Sequence, residues 1–188
     1  MKSSDQAGLN LFTKAKARDT VLKQMLQYLR ASSPGKSLQF AYVESETSLI
    51  PHLTLWENLH VTTGGNSWQE FVSQAEADWL PMINLIKSPS TRARDATCWE
   101  RFAVSLIKAS ISNSPNVLID VNEEAHTQLG LQNLKKMLLL LSETKKVFVA
   151  SATPDAWLDA SACLISRIGY EFEVQDLKES NLKTRQSA

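Results

Sequence analysis

Residues Glu100 to Val121, ERFAVSLIKASISNSPNVLIDV, decide the fold, because they read as a helix running through a turn into a short apolar strand that ends on an acid. Phe102, Leu106 and Ala109, with Ala103 and Ile107 beside them, recur at helical spacing. The cluster Asn113-Ser114-Pro115 stops that helix before Val117-Leu118-Ile119. A strand that is apolar at every position is buried on both faces, as in parallel sheets covered by helices. Ligands of such sheets gather at the carboxyl ends of the strands, where Asp120 stands.

The rest of the chain supports one domain of this class. Its 188 residues, 43% of them hydrophobic, suffice for a sizeable core. Lysine plus arginine (20) equals aspartate plus glutamate (20), so no bulk field draws the chain to nucleic acid or to an anionic membrane, and nucleic acid is not an expected partner. The two cysteines, Cys98 and Cys163, lie far apart without metal-ligand spacing and suit reduced thiols used for packing in a cytosolic protein. No apolar run approaches the ~20 residues of a membrane span, and the N-terminal MKSSDQAG lacks the apolar core of a secretory signal. The expectation is a chain that does not span a membrane and resides in the cytoplasm, with a peripheral place at the inner membrane face as the variant of that reading. His52, His60 and His126 have no metal spacing, and no Ser-His-Asp or Cys-His set stands out, so no catalytic residue is expected.

Taken in order, residues 1–11 read as frayed and polar, and Asp19 reads as the cap of a helix whose Val21, Leu22, Met25, Leu26 and Leu29 form one stripe. Pro34-Gly35-Lys36-Ser37 contains the Gly-Lys-Ser that closes a phosphate-binding loop, but a helix precedes it and the strand Leu38–Val43 follows, so it reads as a turn. Thr62 to Ser67 is turn-rich, and Trp68 to Ile86 carries Phe71, Val72, Ala75, Trp79, Leu80 and Ile83 at helical spacing. Trp68, Trp79 and Trp99 are either a partner surface or the core of this small helical unit. A helix with Leu129, Leu134, Met137, Leu138 and Leu141, a strand at Val147–Ser151, and a helix from Pro154 through Ala160 follow. Leu164–Ile168 and Tyr170–Val174, turned by Gly169, read as a hairpin, and the tail from Lys178 as polar and mobile.

Two stretches resemble the ATPase domains of ABC transporters. Tyr42-Val43-Glu44-Ser45, a loop with Pro51, and Leu53-Thr54-Leu55-Trp56-Glu57-Asn58-Leu59 are similar to the family's Tyr-Val-Pro-Gln and Leu-Thr-Val-x-Glu-Asn-Leu around the Q-loop. Ala96-Thr97-Cys98-Trp99-Glu100-Arg101-Phe102 stands where the family writes Leu-Ser-Gly-Gly-Glu-Arg-Gln ahead of its Walker B strand; it keeps the Glu-Arg pair and loses both glycines. The resemblance puts the phosphate-binding Gly-Lys-Ser/Thr on Ala17, Arg18 and Asp19, the glutamine that reaches magnesium and water on Ser45, and the switch histidine on Ala152. It puts the Walker B aspartate on Asp120, or on Val121 in an alternative register, and in neither does a glutamate follow directly. Glu123 and Glu124 read instead as acids of a first helical turn. About 11 to 15 residues precede the loop position, too few for the family's opening antiparallel strands.

The resemblance therefore implies an α/β, P-loop NTPase-like fold: a mainly parallel sheet flanked by helices, with a core from residues 1–59 and 98–188 and a helical subdomain at 60–97. It also implies a degenerate, non-hydrolysing relative in which Arg18, Asp19, Ser45, Trp99, Asp120 and Ala152 mark lost positions and no cofactor is held. The docking side would be Leu53, Leu55, Trp56, Glu57 and Leu59, held against an intact ABC ATPase subunit or a membrane permease; packing explains the same residues as well. A subunit that still binds ATP and Mg2+ is the alternative, and a scaffold for an unrelated assembly is a third reading.

Overall fold

The computed structural model describes residues 8–13, 21–32, 34–35, 38–44, 49–63, 67–121, 130–151, 153–161, 163–168 and 171–177. The strands are β1 (Gly8–Thr13), β2 (Phe40–Val43), β3 (Asn116–Asp120), β4 (Lys146–Ser151), β5 (Cys163–Ile168) and β6 (Glu171–Asp176). The helices are α1 (Val21–Ser32), α2 (Leu55–Thr63), α3 (Trp68–Gln74), α4 (Leu80–Ile83), α5 (Cys98–Ile111) and α6 (Leu131–Thr144). One six-stranded sheet runs β2-β3-β4-β1-β5-β6. Its first five strands are parallel, and β6 returns antiparallel to β5, closing the expected hairpin.

The stretch 100–121 folds as its pattern dictates. Alternate residues of β3 enter two apolar layers: Val117 and Ile119 lie on the face packed by α5 and α6, and Leu118 on the face packed by α1. All three have 0% exposure, which is why the strand is apolar throughout.

The expectation that residues 1–11 are frayed fails from Gly8 onward. β1 lies in the middle of the sheet between β4 and β5, with Leu9 and Leu11 on one face and Phe12 on the other. Its signal is hidden by Asn10, a polar residue in the centre of the strand. The Asn10 amide donates to the Val147 carbonyl (3.2 Å) and its oxygen accepts from the Cys163 thiol (2.9 Å), which satisfies the buried side chain inside the sheet.

The region read as one helical run from Trp68 to Ile86 is instead three short pieces. α3 starts on Ser67, whose hydroxyl accepts from the Glu70 N–H (3.1 Å). The chain then straightens at Ala75 and Glu76 (ψ 137 and 144), a 3-10 turn covers Ala77–Trp79, and α4 begins with Pro81 in its first turn. Proline lacks the N–H a continuous helix would need there. Likewise the helix expected from Pro154 through Ala160 is a single 3-10 turn, Pro154–Trp157, with Trp157 fully buried. The turn reading of Pro34-Gly35 stands: Gly35 has φ +78, a conformation that favours glycine.

Met82, Ile83, Ile86, Ala93 and Ala96 join the same apolar cluster as Val43, Val117, Val147 and the buried face of α5. The helical segments thus have no core separate from that of the sheet.

Candidate functional site

The carboxyl ends of β1, β3 and β4 lie side by side, because Thr13 pairs with Ser151 and Asp120 with Ala150. Asp120 is buried, at 7% exposure, and the Val121 N–H donates to the Ala150 carbonyl (3.0 Å). Burial pushes the Tyr42 phenol well above its usual value, and the charges of Glu44 and Asp120 push it further, so the phenol stays protonated beside them. Ser151 and Thr153 hold each other, with the Thr153 N–H donating to the Ser151 hydroxyl (3.1 Å). The described residues at these strand ends are therefore acidic or neutral. Among the described residues no cluster of His, Cys, Asp and Glu could hold a metal ion. Arg18, Asp19, Ser45, Ala152, Glu123, Glu124 and the tail from Lys178 lie outside the described residues, as do all of residues 14–20 between β1 and α1.

At the start of α5, Thr97 and Glu100 form a capping box. The Glu100 carboxylate accepts from the Thr97 N–H (3.0 Å), the Thr97 hydroxyl (2.9 Å) and the Lys87 N–H (3.1 Å). Burial alone would raise the Glu100 carboxyl, but the donors of Thr97, Lys87 and Ser88 outweigh it and hold the group below the usual carboxylate range. Arg101 spends its guanidinium on the carbonyls of Ala93 and Ala96, and the Trp99 indole is buried in the main core.

A second capping box opens α2. The Thr54 N–H donates to Glu57 (2.7 Å), and the Glu57 N–H donates to the Thr54 hydroxyl (3.1 Å). Asn58, at 0% exposure, clamps the preceding turn: its amide lies within donating distance of the carbonyls of Ile50 (3.1 Å), Thr54 (3.0 Å) and Leu53 (3.4 Å), and its oxygen accepts from the Ile50 N–H (2.8 Å).

By sequence, no protein-family model and no curated protein matches the chain. By structure it is similar to an ATP-binding subunit of an ABC transporter, with a TM-score of 0.68 over 96% of this chain and 83% of that one, at 14% identity. It is also similar to an ATP-binding cassette solved as a dimer in a post-hydrolysis state with ADP and Pi, with a TM-score of 0.59 over 91% of this chain and 85% of that one, at 15% identity. The fold is that of an ABC ATPase.

On this ABC ATPase fold, the residues singled out for docking divide into two groups. Leu55 and Leu59, at 0% exposure, point into the core and fix α2 on α5. Leu53 is half-buried and Glu57 exposed, with its carboxylate turned back to the cap. Trp56 is half-buried on the outer side, where its ring stands 5.7 Å from His60, 6.0 Å from Trp68 and 5.9 Å from Phe71. This aromatic cluster is large, rigid and only partly covered, and Val61 is exposed on the same helix. The two Thr-x-x-Glu spacings are legible in the sequence as caps, and they account for Thr54, Glu57, Thr97 and Glu100 without any ligand.

Among the described residues no helix is long and apolar enough to cross a membrane.

Proposed function

We propose that this chain is a non-hydrolysing protein built on the ABC ATPase fold, which works in the cytoplasm by binding another protein. The observation that carries the reading is the start of α5. Where the resemblance puts two phosphate-facing glycines, this chain has Cys98, half-buried, and Trp99, whose indole is buried in the main core. Glycine lets a phosphate approach the N–H groups of a helix N-terminus, and two side chains stand in its place here, whereas the Thr97–Glu100 cap matches the Ser and Glu of the resembled motif. Among the described residues the strand ends carry the acids Asp120 and Glu44, while residues 14–20, where the resemblance puts the phosphate-binding loop, lie outside the described residues. Arg18 and Asp19 in place of Lys and Ser/Thr, Ser45 in place of the glutamine and Ala152 in place of the histidine support the same reading from the sequence.

In this reading the helical subdomain, residues 60–97 set against a core of 1–59 and 98–188, would present Trp68 and Phe71 to the partner together with Trp56 at its entry from the core, with Leu53, Leu55, Glu57 and Leu59 holding the helix that carries Trp56. The partner class is an intact ABC ATPase subunit or a membrane permease. The test is copurification from native cells followed by Trp56→Ala: loss of a desolvated Trp anchor is expected to cost more than about 2 kcal/mol of binding, over ~30-fold in affinity. A folded variant that holds its partner at full affinity sinks the docking assignment.

One observation favours a second reading, a subunit that still binds ATP with Mg2+: Asp120 stands, buried, at the carboxyl end of β3. Calorimetric titration with magnesium ATP separates the two. No heat of binding and no magnesium-dependent hydrolysis above a blank are expected; turnover abolished by Asp120→Asn would establish the second reading instead.

A further inference from the structure

We infer that the outer edge of β2 is a docking groove for an extended segment of another protein that carries an acidic residue. The surface is distinct from the aromatic cluster around Trp56. β2 ends the sheet: it pairs with β3 on one side, and no described strand lies on the other. Phe40-Ala41-Tyr42-Val43 contains no charge and no proline, the residues that usually blunt an exposed edge. An open edge of this kind offers backbone N–H and C=O groups at the spacing an added strand needs.

Two cavities sit in line along this edge. One, of about 400 Å³, is lined by Leu38, Gln39 and Phe40 with Asn113 and Ser114. The other, of about 130 Å³, lies beside Ala41 and Tyr42 and is walled by α5 and the end of α2. From Leu38 to Tyr42 an extended chain rises about 13 Å, so both cavities fall within reach of one bound strand. Small residues on the facing wall, Ser105, Ala109 and Ser112, leave that room.

Lys108 supplies the charge. It lines the second cavity, is half-buried, and makes no hydrogen bond or ion pair with any described residue. Burial alone lowers its pKa. It is not needed to cap its own helix, because the Lys145 ammonium already donates to the carbonyls of Ser112 and Ser114 where α5 ends. A half-buried ammonium without a counter-charge is costly, and a carboxylate beside it removes that cost. Glu44, just past the end of β2, would repel a second acid there, so the acidic residue of the segment belongs beside Lys108.

The experiment is selection of displayed random peptides of about seven residues, ~23 Å when extended, against the intact chain, followed by affinity measurement on synthetic copies of the selected sequences. Selected peptides are expected to share an aspartate or glutamate, to weaken at least tenfold on Lys108→Glu and on Lys108→Gln, and to protect the amides of residues 40–43 from hydrogen exchange. Unchanged thermal melting of both variants confirms that the fold is kept. The inference is overturned if no peptide is enriched, if the selected peptides lack an acid, if both variants bind them unchanged, or if protection appears elsewhere. It is also overturned if the chain alone is a dimer in which residues 40–43 are already protected, since a second copy would then occupy the edge.

Discussion

Thr97 and Glu100 bind each other across the first turn of α5: the Thr97 N–H and hydroxyl both donate to one Glu100 oxygen, and the Glu100 N–H donates back to the Thr97 hydroxyl. The Glu-Arg pair that resembles a nucleotide-facing signature is thus spent inside the chain. Because the donors hold the Glu100 carboxyl below its ordinary range, its contribution is present above the unfolded value of about 4.3 and is lost as pH falls through the folded one. Glu100→Ala is expected to cost about 2–3 kcal/mol at neutral pH. Urea denaturation across pH should show the gap between wild type and variant narrowing below about pH 4; a gap that does not narrow as pH falls well below that range rules out the ionised cap.

Asn58 makes a related case on α2. Its buried side chain joins the turn at Ile50–Thr54 to the helix, with its amide within reach of three carbonyls and its oxygen accepting from one N–H. Asn58→Leu keeps the volume and removes every one of these bonds; the three carbonyls still accept from the Leu53, Ala93 and Asn58 N–H groups, but the Ile50 N–H loses its partner, and the change should destabilise by about 1–3 kcal/mol. Chemical denaturation measures it. A cost under about 0.5 kcal/mol, typical of an inconsequential surface change, would mean that the Leu53–Leu59 stretch is not held by this clamp.

How legible these features are depends on what hides them. β3 and α5 stand out because both sheet faces and nearly every side of the helix are buried, which leaves an unbroken apolar pattern. β1 carries the same burden with only Leu9, Leu11 and Phe12 as signal, because Asn10 is satisfied by partners more than a hundred residues away, Val147 and Cys163. No local window contains that information. The pieces between Trp68 and Ile86 keep a helical period although the backbone breaks, since Trp79, Met82 and Ile83 are placed by packing on the core rather than by one continuous helix. At the candidate site the caps are visible as Thr-x-x-Glu, whereas the edge of β2 and the isolation of Lys108 emerge only once strand order is known.

The two thiols should behave differently. Cys163 is buried against Asn10, and burial, with Asp176 adding to it, pushes its pKa up to about 11; Cys98 is half-buried at the start of α5. Reaction requires the thiolate and access to it. With a chromogenic disulfide at neutral pH, one thiol is expected to react quickly and the second only on unfolding, with Cys98→Ser removing the fast phase. A fast phase that survives Cys98→Ser would show that Cys163 opens to solvent without global unfolding.

Leu118 and Asp120 provide the last test, because they lie on one face of β3 two residues apart and answer to different forces. Leu118 has 0% exposure in the layer between the sheet and α1, where Met25, Phe12 and Phe148 belong to the same cluster. Truncation to alanine leaves a cavity that close-packed neighbours fill only in part, so Leu118→Ala should cost about 2–5 kcal/mol. Asp120 stands buried at the strand end, where a ligand would draw on its charge. Asp120→Asn preserves its shape and one acceptor oxygen, so a chain that uses no bound cation should lose less than about 1 kcal/mol. Denaturation of both variants, with and without magnesium ATP, decides between these demands. If Asp120→Asn costs as much as Leu118→Ala, the acid has a buried structural or ligand-binding role; if magnesium ATP stabilises the wild type and not the variant, the acid is holding a ligand and the non-hydrolysing reading gives way to the nucleotide-binding one.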